Sequence, residues 1–167
     1  MPTETYVPLA EVTLVTSADF VNFTSISQDY SDLVLQIEVF SIASGNRNNR
    51  VRANGDSTST YSNVVMRGDG TTASSFSQDL TYARIDANSS FTNTTKNMAT
   101  TIFADYSATD KHKTILSRSS SGLYGVDAIA SRWPSTAAIT SLTVFPTSSE
   151  YAAGSTFKLF GIHGEVV

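Results

Sequence analysis

His112 and His163 are the only imidazoles in this chain. His112 lies between Lys111 and Lys113, where two cations oppose a metal ion, and His163 sits in the glycine-flanked tail GIHGEVV. A transition-metal site needs several His, Cys or carboxylate ligands at set spacings. No His-x-His, no His-Glu-x-x-His and no cysteine is present, so neither metal nor disulfide chemistry is expected. Asp56, Asp69, Asp79, Asp86, Asp105, Asp110 and Asp127 are scattered through turns and strand ends. Glycoside hydrolysis requires two carboxylates facing each other across a cleft. The spacing singles out no such pair, and aspartate at turns ordinarily caps backbone amides. Turn oxygens suit calcium, but the loop signature of an EF-hand is missing. Serine is abundant without a Gly-x-Ser-x-Gly elbow, and Gly68-Asp69-Gly70 lacks the lysine of a phosphate loop. The expected reading is therefore a non-enzyme with no cofactor.

Arg67-Gly68-Asp69 is an RGD tripeptide, but its glycines serve a turn at the end of a strand. Asn22-Phe-Thr24, Asn88-Ser-Ser90 and Asn93-Thr-Thr95 match the glycosylation sequon, which chance supplies in a chain this rich in hydroxyls. Aromatic rings are the remaining candidates, because ring faces stack on sugar C–H groups. Tyr124 and Trp133, the latter just before Pro134, are the candidate glycan-binding residues. Against them, seven tyrosines and nine phenylalanines are natural filling for sheet faces.

These side chains sit on a chain of 167 residues, long enough for one domain with a real core. Charged residues make up 16%, and 47 Ser and Thr take their place. A surface of hydroxyls is common in extracellular and virion β-proteins. Net charge is −4 without a Lys/Arg run, which weighs against a nucleic-acid partner. The start, MPTETYVPL, has no charged n-region or apolar h-region, so no signal peptide is expected. No apolar run reaches the roughly 18 residues of a membrane helix, and no membrane partner is expected.

Period-two alternation supplies the elements that must position everything else. Residues 1–8 read as an extended N-terminal arm, with Pro2 and Pro8 opposing helix and central strand. Residues 9–167 read as one domain. Leu33–Ile42 is the strongest strand, with Leu33, Leu35, Ile37 and Val39 on one face and the mixed set Val34, Gln36, Glu38, Phe40 on the other. Further strands are predicted over Leu9–Val15, Phe20–Ser25, Arg50–Ala53, Tyr61–Arg67, Met98–Tyr106, Thr114–Ser119 and Val126–Trp133, with weaker signals over Thr71–Ser77 and Thr81–Ala87. Ala137–Ile162 reads as a C-terminal hairpin, in which Leu142, Val144, Phe157 and Leu159 are core. About ten strands separated by turn chemistry, without helical periodicity, predict an all-β fold. The expected architecture is an antiparallel two-sheet β-sandwich, jelly-roll-like.

Three stretches carry a resemblance: ISQDYSDLVLQIEV, RANGDSTSTYSNVVMRGDG and WPSTAAITSLTVFPTSSEYAAGSTFKLFGI. Together they cover much of the chain, and it resembles a virion structural domain of tailed bacteriophages. The sharpest matches are Tyr30–Leu33, Asn54–Asp56 with Tyr61, and Ala138–Ile162. All are strand and turn signatures, so the resemblance implies a building block located on the phage particle surface. Two functions follow as expectations. The first is a head decoration (cement) protein, a trimer that clamps the major capsid protein, with arm residues Tyr6, Val7 and Pro8 adding a strand to a partner. The alternative is a receptor-binding or tail-fibre tip domain that recognises host surface glycan through Tyr124 and Trp133.

Overall fold

Leu33, Leu35, Ile37 and Val39 all point into one core, as their alternation requires. The computed structural model describes residues 5–45, 47–87, 91–121 and 125–164. Its strands are β1 (Tyr6–Thr13), β2 (Val21–Phe23), β3 (Asp32–Val39), β4 (Asn49–Ala53), β5 (Tyr61–Gly68) and β6 (Ala73–Leu80), followed by β7 (Ala83–Arg84), β8 (Asn97–Ala104), β9 (Lys113–Ser121), β10 (Gly125–Trp133), β11 (Leu142–Pro146) and β12 (Thr156–Ile162). An eight-stranded sheet runs β1-β12-β3-β8-β9-β10-β5-β6, and a four-stranded sheet β2-β11-β4-β7 lies over part of it. All pairings are antiparallel. The fold is the expected all-β sandwich. Successive strands change sheet at most connections; β5–β6, β8–β9 and β9–β10 are the in-sheet hairpins.

The C-terminal pair is not a hairpin. β11 joins β2 and β4 in the small sheet, whereas β12 joins β1 and β3 in the large one. Leu142, Val144, Phe157 and Leu159 are all buried, in one core shared by the two sheets. Alternation reports that one face of a strand is buried, and facing sheets satisfy it as well as neighbouring strands do. The connection between them passes over the end of the sandwich, where Tyr151 bridges to Ala18 and Ser41.

The weak signals at 71–77 and 81–87 become the full strand β6 and the two-residue β7. Strand β1 starts at Tyr6 rather than Leu9. Tyr6, Val7 and Pro8 pair with Ile162, Gly161 and Phe160, so they belong to the sheet and not to a free arm. Pro8 is tolerated there because β1 is an edge strand, and the register shifts between Pro8 and Ala10. Gly161 on β12 leaves room for the Tyr30 ring; a Cβ there would lie 2.4 Å from Tyr30 Cγ. The large buried aromatics also satisfy their polar tips. The Tyr61 hydroxyl accepts from the Ala53 N–H at 3.1 Å, the Tyr151 hydroxyl donates to Asn49 Oδ1 at 2.9 Å, and the Tyr106 hydroxyl donates to the Ser27 carbonyl.

Candidate functional site

The NGD turn after β4 takes the left-handed conformation at both Asn54 (φ 52°) and Gly55 (φ 65°). That turn aims two side chains at the segment leading from β10 to β11. Asn54 Oδ1 accepts from the Thr140 and Ser141 N–H groups at 2.8 and 3.1 Å, and its amide donates to the Ala138 carbonyl at 2.8 Å. Asp56 Oδ1 accepts from the Thr58 and Ser59 N–H groups, while Oδ2 accepts from Trp133 Nε1 at 2.8 Å. Hydrogen bonding, that of the Ser59 side chain foremost, holds the Asp56 carboxyl well below the usual range. Trp133 itself is 2% exposed and stacks on Tyr61 at 6.4 Å between centroids. Its ring therefore presents no open face to a sugar, and it is core rather than a glycan platform. On β10 it lies in phase with the buried Asp127, Ile129 and Ser131. Tyr124, the other glycan candidate, lies outside the described residues.

The remaining aspartates divide in the same way. Asp69 Oδ1 closes the β5–β6 turn by accepting from Thr71 N and Oγ1 and from Thr72 N, at 2.7–2.9 Å. Those bonds, the Thr72 N–H foremost, lower its pKa to about 2, so the carboxylate of the RGD tripeptide is occupied by its own turn. Asp86 and Asp127 are buried, accepting from the Asn49 and Ala87 N–H groups at 2.9 and 3.0 Å. They satisfy backbone donors beside β7, where the small sheet ends. Lys113, one of the two lysines that flank His112 in the sequence, is fully buried. Its ammonium donates to the carbonyls of Ala108, Lys111 and Thr136 at 2.6–3.3 Å. His112 is exposed, and the His163 ring lies 4.9 Å from that of Tyr30. Among the described residues no three His, Cys, Asp or Glu side chains come together as a metal site.

The outer face of the large sheet is different in kind. The register aligns Phe160, Val34, Ile102, Leu116, Ala130 and Val64 in one row across β12, β3, β8, β9, β10 and β5. Pro8 pairs with Phe160 and carries the row to the β1 edge, where Tyr6 packs edge-on against Phe160. Val34 is buried by its neighbours, but Val64 is 50%, Met66 59%, Met98 56% and Val126 58% exposed. Met66, Arg118, Val126 and Ala128 line a shallow groove of about 690 Å³ beside the row. Sequence reasoning missed this face, because each strand contributes only one or two apolar residues to it. The outward phase of β5 (Val64, Met66) was the available signal.

Fold and surface thus define an antiparallel β-sandwich with an apolar outer face on its larger sheet. No protein-family model matches the chain, and no curated protein matches it.

Proposed function

We propose that this chain is a bacteriophage virion structural protein, a head decoration protein that binds and stabilises the assembled capsid. The observation that carries the reading is the exposed apolar face around Val64, Met66, Leu116 and Val126. Exposed apolar side chains grouped on a rigid sheet suit burial against another folded surface, and such patches mark interaction sites. Tyr6 and Pro8 lie at the edge of the same face, so the N-terminal strand contributes to contact as part of the sheet. The partners in this reading are the major capsid protein and further copies of the chain in a trimer. The protein then resides on the particle surface and performs no catalysis. Binding only the assembled shell stabilises that shell by mass action.

The test compares purified capsids with and without the protein. Shells lacking it are expected to open at lower temperature, and an electron-microscopy map to place hundreds of copies on the head. Equal heat resistance, or a few copies confined to the tail, refutes the proposal.

A further inference from the structure

The opposite face of the sandwich gathers charge of one sign. Strands β4 and β7 place Arg50 directly across from Arg84, and β11 places Phe145 on the other side of Arg50. Arg52 lies two residues along β4 on the same face. Each guanidinium is held by an aromatic ring. Arg50 lies 4.3 Å over the Tyr82 ring, Arg52 lies 4.7 Å over Phe145, and Arg84 lies 5.9 Å over Phe76. Arg52 is further tied to the Thr81 carbonyl at 3.0 Å, and Arg84 to Gln78 Oε1 at 2.8 Å.

Among the described residues no carboxylate forms an ion pair with any of the three. The ion pairs of Glu38, Asp105, Asp110 and Glu11 are all made with lysines, and Arg50, Arg52 and Arg84 form none among the described residues. Burial pulls Arg50 below its ordinary pKa; Tyr82 opposes that shift, and the neighbouring Arg84 and Arg52 charges add to it. Cations crowded together and half out of water are costly unless an anion joins them. The rings and these hydrogen bonds hold the guanidiniums in place, and planar N–H groups of this kind match carboxylates.

We propose that this face of the four-stranded sheet is a docking surface for an acidic, carboxylate-presenting segment of a partner protein. The charge distribution favours a compact acidic segment over a long polyanion. The chain as a whole carries 15 acidic residues against 11 basic ones, a net charge of −4. A nucleic acid or extended polysaccharide longer than the patch is opposed by that net negative charge. The aromatic faces are also taken up by guanidinium, which leaves them unavailable for stacking on bases. This inference stands on the arginine face alone and does not depend on the decoration role.

The test is a titration of the intact protein with a hexaglutamate peptide at low ionic strength, followed by NMR of the arginine side chains. The expected result is saturable binding that weakens about tenfold or more in R50Q/R84Q, since at least one charge-assisted pair is lost. R118Q/R132Q, on the large sheet, is expected to bind as the parent does. Circular dichroism checks that both variants fold; if R50Q/R84Q does not, R52Q alone replaces it, with a smaller loss of the same sign. Absence of binding, or binding indifferent to the small-sheet substitutions, overturns the proposal. So does tighter binding of a single-stranded oligonucleotide or a sulfated oligosaccharide of equal charge. Capsid binding is read separately, so peptide binding without shell stabilisation counts against the decoration role alone.

Discussion

The two sheets share one core but expose opposite chemistries. Outward positions on β5, β8, β9 and β10 carry Val64, Met66, Met98, Leu116 and Val126, whereas those on β4 and β7 carry Arg50, Arg52 and Arg84. Inward positions of both sheets look alike, because a dry interior selects for apolar bulk wherever it lies. Outward positions answer to no such demand, so their chemistry is free to differ. The outer face of the larger sheet is the more apolar of the two and that of the smaller sheet the more cationic. The difference teaches that function in this sandwich is to be sought on its outer faces, since the buried polar groups are absorbed by the fold.

The comparison breaks most completely if the shared frame is removed. Leu159 is buried on β12, between β1 and β3. L159D is expected to cost more than about 4 kcal/mol by burying an unpaired carboxylate, and to abolish soluble folding. Recovery of soluble protein with native circular dichroism would refute the assignment. The next largest effect falls on the link between sheets. N54A removes the acceptor for Thr140 and Ser141 and the donor to Ala138, and places alanine at φ 52°. Chemical denaturation should report a loss of about 2–3 kcal/mol; a loss below about 0.5 kcal/mol would mean that the β10–β11 crossing is held by other contacts.

A smaller effect follows from acid. The folded-state pKa of Asp69 is lowered from 3.8 to about 2 by its turn, and that of Asp56 is lowered further. Groups with depressed folded-state pKa contribute stability that is present above the unfolded value and lost as pH falls through the folded one. Stability should therefore hold above pH 3.8 and decline as pH drops toward about 2. D56N/D69N should flatten that decline in thermal melts, and an unchanged slope would assign it to other carboxylates. The smallest effect on folding sharpens the contrast between faces. M66K/V126K alters two exposed positions and should shift stability by less than about 0.5 kcal/mol while abolishing capsid association. Association that survives both lysines would remove the apolar face from the contact.

The glycan candidates show where a linear reading falls short. Trp133 stands before a proline at a strand end, a position compatible with a loop platform. Its burial depends on Tyr61 and Asp56, more than 70 residues earlier in the chain. Lys113 is similar: nothing local announces that carbonyls from two separate loops will enclose its ammonium. Asn54-Gly55-Asp56 was readable as a tight turn from residue type, but its grip on residues 138–141 was not.

By itself the sequence determined the fold class, the strands with strong alternation, and the core identity of Leu142, Val144, Phe157 and Leu159. These depend on period-two burial and on turn residues, both local properties of the chain. Only the tertiary structure decided that β11 and β12 lie in different sheets, that β1 begins at Tyr6, and that Arg84 stands beside Arg50. Such facts belong to register between distant strands, which is set by the packing of the whole sandwich and written in no single segment.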